Sequence, residues 1–178
     1  MITEKSVGFT NDDLLEVLKG QKKVGNKYKT HFFAMFSQFF CTIAEEIISK
    51  FGDEGKAAIA SSVKKFGEER GRRIAKLVRS LGKELTLKNF FIYSDLEGGE
   101  TAKYKIKIVD GNVEIIIREC VFCNGCKEWD KIEYGKIYCE YIDESIIEGY
   151  NPSLSFEIDS VLTKGDKQCV QRYMVKEN

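Results

Sequence analysis

Six cysteines and a large set of carboxylates carry most of the chemistry available to this chain, against a single histidine, His31. Cys120-Val-Phe-Cys123-Asn-Gly-Cys126 is a C-x2-C-x2-C run. Thiolates at this spacing can hold zinc or iron-sulfur iron when a fourth ligand, here Cys139 or Cys169, arrives from elsewhere. No second C-x2-C pair accompanies the run and no Cys-Pro follows it, so neither a zinc-ribbon nor a bacterial ferredoxin pattern is complete. The expectation is therefore no cofactor, with zinc or iron-sulfur through Cys120, Cys123 and Cys126 as the alternative. Cysteines also serve as small core hydrophobes, the expected fate of Cys41 beside a phenylalanine-rich stripe.

Cys139 and Asp143 form a sharper pair. Four residues apart on one predicted helix, they project from the same side, at the border of its apolar stripe. Asp166 falls in a later turn and Cys169 at the start of the last strand, so a helix packed over that hairpin would bring all four toward one pocket. A thiol beside a carboxylate suits nucleophilic attack or general-base chemistry. Each residue also has a plain reading: Asp143 as a solvated helix charge, Asp166 as an ordinary turn residue. His31, just ahead of the first phenylalanine of a helix, reads as a helix-start side chain. With no second histidine, zinc-protease motifs built on histidine pairs are excluded, and no Walker loop or G-x-G-x-x-G supports phosphate binding. The basic group Lys64, Lys65, Arg70, Arg72 and Arg73, interleaved with Glu68 and Glu69, reads as a solvated helix face.

The elements that must position these groups follow from periodicity. From Lys29 to Phe51 the residues Phe32, Met35, Phe36, Phe39, Phe40, Ile43, Ile47 and Ile48 recur at helical spacing. A second helix is expected from Asp53 to Leu81, stopped by Gly82, and a short one from Asp12 to Leu18. Gly67 and Gly71 inside the second helix each cost roughly 1 kcal/mol of helix propensity, which predicts close approach of another backbone. Beyond residue 82 the period becomes two. Tyr104, Ile106 and Ile108, the turn Asp110-Gly111, then Val113, Ile115 and Ile117 predict a hairpin with Ile108 opposite Val113 and Ile106 opposite Ile115. A strand is expected at Leu87 to Tyr93, a helix at Glu133 to Tyr150, and two final strands at Leu154 to Ile158 and Cys169 to Met174. The sum is a single α+β domain over residues 1–178: helices in 1–82, then in 83–178 a mostly antiparallel sheet with one inserted helix.

Composition agrees with a folded domain: 43% of residues are hydrophobic and 31% charged, with one proline and no Gly/Ser tether. Charge balances, 28 Lys+Arg against 28 Asp+Glu, which argues against nucleic acid as a partner. The N-terminus lacks signal-peptide order, and the longest uncharged stretch, residues 30–44, is shorter than the ~20 residues that span a bilayer, so no membrane role is expected. The expected location is the cytoplasm, where thiols stay reduced. The Phe-rich helix could bury its surface within the chain or in a homodimer.

Trp129, Tyr138-Cys139, Asp143, Gly149-Tyr150-Asn151-Pro152, Leu162, Gly165-Asp166 and Cys169 occur in an order and spacing that resemble the L-2-amino-thiazoline-4-carboxylic acid hydrolase family. The resemblance is clearest from Cys126 to Tyr173. The layout is also similar to the wider vinyl-reductase-domain and transport-particle fold group, many of whose members bind ligands or partners without catalysis. The hydrolase resemblance implies a small-molecule substrate and opening of a cyclic, amidine-like C–N bond, turning an amino-thiazoline carboxylate into a carbamoyl-cysteine. It implies Asp143 as general base, Cys139 or Cys169 as nucleophile or pocket wall, and Asp166 as an orienting group. Trp129, Tyr138 and Asn151 would contact substrate, and Arg172 or Arg118 would bind its carboxylate. The alternative of another class is a non-catalytic small-molecule or thiol/redox-sensing module.

Overall fold

The computed structural model describes residues 30–96 and 101–176, together with Asp12 and Leu15, both helical and exposed. The rest of the helix expected at Asp12 to Leu18 lies outside the described residues. The chain divides into two units, Met1–Thr30 and His31–Asn178, and the helices and sheet that build the site all belong to the second.

The first element of that unit, α1 (Phe32–Ser80), is two helices joined at a kink, where Gly52 takes φ 56° and ψ −132°. A left-handed φ of this kind suits glycine, so the break falls between the two helices that periodicity predicts. His31 caps the start: its Nδ1 accepts from the Phe33 amide at 3.0 Å. An 18-residue window of α1 is, by length and composition, apolar enough to cross a membrane, although no fully uncharged stretch reaches that length. The first arm buries Ala34, Ser37, Cys41 and Ala44; the second buries Val63, Gly67, Arg70, Gly71, Ile74 and Val78.

After α1 comes α2 (Leu87–Ile92), a helix where a strand is expected at Leu87 to Tyr93. Local chemistry explains the correction. The Thr86 hydroxyl accepts from the Asn89 amide at 3.2 Å, and Leu87 and Phe90, three residues apart, point together into the core. β1 (Ala102–Val109) and β2 (Asn112–Cys120) then form the expected hairpin, with Ile108 opposite Val113, Lys107 opposite Glu114 and Ile106 opposite Ile115. Its two-residue turn places Asp110 at φ 50° and Gly111 at φ 76°, the doubly positive geometry that matches strand twist. The thiol run follows as α3 (Val121–Glu128), then α4 (Ile132–Tyr150), β3 (Leu154–Ser160), a 3-10 turn (Leu162–Lys164) and β4 (Cys169–Val175). The sheet is antiparallel in the order β1-β2-β4-β3, so the fold is α+β, helices packed on a four-stranded sheet.

The second arm of α1 lies against α4 at backbone distance. A Cβ built on Gly67 would fall 2.7 Å from Ser145 Cβ, one on Gly71 2.6 Å from the Tyr150 amide nitrogen, and one on Gly149 2.7 Å from Glu68 Cα. The two glycines that weaken α1 therefore let α4 seat. Two aromatic groups close the core: Phe33, Phe36, Phe40, Phe122 and Tyr138 at one end, with Phe122 stacked on Tyr138 at 4.6 Å, and Phe90, Phe91, Tyr150, Phe156 and Tyr173 at the other. Gly71→Ala is expected to destabilise the protein by about 1–3 kcal/mol in denaturant melts, because the obstructing atoms are main chain. In an open helix the same change would stabilise by up to about 1 kcal/mol; a stabilised variant would refute the close crossing.

Candidate functional site

The helical period along α4 and the alternation along β4 aim side chains at one space. On α4, Tyr138, Cys139, Ile142 and Asp143 face the sheet; on β4, Cys169 and Gln171 rise from the face that looks back at the helix. Between them lies a partly open cavity of about 180 Å³, also bounded by Arg70 from α1 and by Cys120 where β2 passes into α3. Ligand pockets usually enclose roughly 300–1,000 Å³, so this one suits a ligand of amino-acid size.

Asp143 is its central group. Gln171 Nε2 donates to Asp143 Oδ2 at 2.8 Å, and the Tyr173 hydroxyl donates to Gln171 Oε1 at 3.3 Å, giving a short relay. The carboxylate is enclosed by protein while opening onto the cavity. Burial pushes its pKa up to about 6, opposed by the nearby Arg70 guanidinium and the Gln171 hydrogen bond. The thiols around it are held protonated. Burial raises Cys139 well above the ordinary thiol value, helped by Cys120 and Asp143, and raises Cys169 to about 11 although the Leu162 amide donates to its sulfur at 3.2 Å. Cys120 is likewise raised by burial.

The other sequence-derived candidates lie elsewhere. Asp166 Oδ2 accepts from the Val161 amide at 2.7 Å, closing the turn that places Val161 and Cys169 at the cavity, of which Asp166 is not a wall. Trp129 caps α3 with half its surface exposed. Asn151 ties the end of α4 to the chain before α2, its Nδ2 donating to the Leu85 carbonyl at 2.7 Å. Arg172 sits on the opposite sheet face to Cys169 and Gln171, paired with Glu114 and Asp159. Arg118 is exposed and lies on β2 away from the cavity. Cys123 and Cys126, one turn apart on α3, face the core, where Cys126 Sγ lies 3.3 Å from Cys41 Sγ. Among the described residues no group of three or more His, Cys, Asp or Glu is arranged to hold a metal ion.

Arg70, Gln171 and Cys120 belong to the cavity without having been expected as cavity groups. Arg70 is not part of a solvated face: it is 9% exposed, while Lys64, Lys65, Arg72 and Arg73 are exposed as expected. Its place in the stripe Val63, Gly67, Arg70, Ile74 was the available signal, since a charge at the buried period needs a partner. For Gln171 the signal was parity with Cys169 on one strand. A second, larger groove of about 340 Å³ runs between the arms of α1, lined by Phe36, Phe39, Ile43, Val63 and Phe66 with Tyr138 at its floor. Among the described residues, none of those lining it carries a carboxylate, thiol or cation.

A sequence model described as L-2-amino-thiazoline-4-carboxylic acid hydrolase matches residues 32–173. The chain belongs to that family. The matched span contains every cavity-lining group named above. Among solved structures the chain is similar to a trafficking protein particle complex subunit 3 from Naegleria fowleri covalently bound to palmitic acid, with 16% identity, a TM-score of 0.49, and coverage of 82% of this chain and 95% of that one. A comparison with curated proteins gives no match.

Asp143 also carries a stability signature. A carboxyl at about 6 in the folded state, against 3.8 ordinarily, binds more protons than the unfolded chain between those values. Native stability therefore falls as pH rises through about 4 to 6 and is flat above, a cost of roughly 3 kcal/mol at neutral pH. Asp143→Asn, which retains an acceptor for Gln171, is expected to match wild type near pH 3.5 and to be the more stable protein at pH 7. Paired denaturant melts across pH measure this, and parallel curves would rule out the raised carboxyl.

Proposed function

We propose that this chain is a hydrolase that opens the ring of an L-2-amino-thiazoline-4-carboxylate type substrate, with Asp143 as general base in the cavity between α4 and the sheet. The observation that carries this reading is the enclosed Asp143 carboxylate, poised near 6, bonded by Gln171 and facing a space of substrate size. A base with this pKa is ionised at neutral pH yet strong enough to draw a proton from water. Water adds to the amidine-like ring carbon as Asp143 relays its first proton to the ring nitrogen; the ring C–N bond then breaks, the second proton passing through Asp143 from the new hydroxyl to the departing amine as the carbamoyl C=O forms. The product is a carbamoyl-cysteine heavier by one water. Gln171 orients the carboxylate, and the Tyr173 hydroxyl holds Gln171 in turn.

In this reading the thiols of Cys139 and Cys169 are cavity walls and not nucleophiles, because burial keeps them protonated where Asp143 is already charged. The proposal places the chain in the cytoplasm, where its free cysteines stay reduced. The three thiols on one cavity favour a second reading, a small-molecule or redox-sensing module without turnover.

Incubation with the aminothiazoline acid followed by mass spectrometry separates the two readings, since a hydrolase adds 18 mass units (one water, by composition) and a binder adds none. Turnover is expected to climb with pH, reach half its plateau near 6 and level above, following Asp143 deprotonation. Asp143→Asn should lower kcat by about 10²–10⁴ while remaining folded. Cys139→Ala and Cys169→Ala should keep kcat within about tenfold; a complete loss in either would install a thiol as nucleophile and displace water.

A further inference from the structure

Arg70 is a buried cation at the edge of the cavity, and its side chain is only partly committed. Nε and Nη2 donate to Asp95 Oδ2 and Oδ1 at 2.9 and 2.7 Å, a two-point clamp that locks the guanidinium plane. The Nη1 hydrogens have no partner among the described residues. Nη1 is not sealed away either: Thr163 Oγ1 is the one fully buried side-chain nitrogen or oxygen without a partner among them. Of the described side chains that bound the cavity, two carry charge, Arg70 and Asp143, on different helices. Of the two arginines that the family resemblance offers as the carboxylate ligand, Arg172 is engaged by Glu114 and Asp159 on the other sheet face and Arg118 is exposed on β2 away from the cavity.

We infer that Arg70, clamped by Asp95, is the carboxylate subsite of this cavity, so that the site selects a small zwitterion with its carboxylate at Nη1 and its amidine-like ring toward Asp143. The substrate class rests on the hydrolase reading above; the role of Arg70 rests on the clamp and the free N–H groups. A planar guanidinium already held by one carboxylate can present a second edge to another, with little further side-chain entropy lost. Asp95 is a positioning residue: it fixes the fork and leaves the substrate untouched. The opposed charges of Arg70 and Asp143 would set the orientation of the ring, presenting the amidine carbon to the base rather than to the apolar wall at Ile142.

The test uses calorimetric titration of the full chain with L-thiazolidine-4-carboxylate, which has the ring and acid but no amidine carbon to hydrolyse, and with its carboxamide. Wild type should bind the acid about 10–100-fold more tightly than the amide. Arg70→Gln should reduce that ratio to near one while holding the amide affinity within about threefold, and Arg70→Lys should give an intermediate ratio. Should Arg70→Gln not fold, Arg70→Lys and Asp95→Asn decide the matter, since both must lower the ratio. An unchanged ratio in the folded variants, no acid preference in wild type, or no binding of either probe would overturn the inference. Turnover of the aminothiazoline acid, assayed in parallel, separates the two proposals. Acid preference without turnover leaves Arg70 standing and removes the hydrolase; turnover with no acid preference does the reverse.

Discussion

Where the second arm of α1 crosses α4, no side chain stands at Gly67, Gly71 or Gly149, and main chain meets main chain. That contact sets the height of α4 above the sheet. An extra methyl group at any of the three would push the helices apart, and the wall bearing Cys139 and Asp143 would retreat from β4, where Gln171 reaches Asp143 at 2.8 Å. The same arm carries Arg70, three residues from Gly67 and one from Gly71, so one crossing positions both charged groups of the cavity. Helix propensity is given up at the glycines and recovered through packing, since helices in proteins are held chiefly by the burial of one face.

Around this crossing the molecule accepts an electrostatic penalty. A carboxylate enclosed by protein would ordinarily be replaced or fully compensated, yet Asp143 receives one side-chain hydrogen bond and the influence of an arginine already paired with Asp95. Under-compensated charge of this kind accumulates where chemistry is done, because a base fully satisfied by its neighbours would have little drive to take another proton. The neighbouring thiols add no competing charge. The protein thus keeps one ionised acid and one cation in a small space bounded, among the described residues, by sulfur, aromatic and aliphatic groups together with the neutral polar side chains of Gln171 and Thr101.

The six cysteines fall into two sets by location. Cys120, Cys139 and Cys169 border the cavity, while Cys41, Cys123 and Cys126 sit in the core, with Cys41 and Cys126 fully buried and in sulfur contact. The C-x2-C-x2-C run is divided by a change of structure. Cys120 ends a strand and the other two lie on a helix, so spacing that looks uniform along the chain sends its thiols in different directions.

Periodicity alone was enough for the two-arm helix, the hairpin register at Ile106 and Ile115, the inserted helix and the closing pair of strands, because each is written in neighbours two to four residues apart. Residues 87–92 went the other way: a strand is expected there, and one hydroxyl cap with a three-residue apolar spacing makes a helix. The pairing of Cys139 with Asp143 was likewise legible, being a matter of a single helix face. Three placements needed the assembled molecule. Arg70 became a cavity residue because its arm turns that face inward against α4; Arg172 turned outward because strand parity opposes it to Gln171; and Asp166 became a turn clamp because Val161 lies beside it in space. A linear pattern states which face a residue shares with its neighbours, but which faces meet depends on how distant segments pack, and here the glycine crossing decides that.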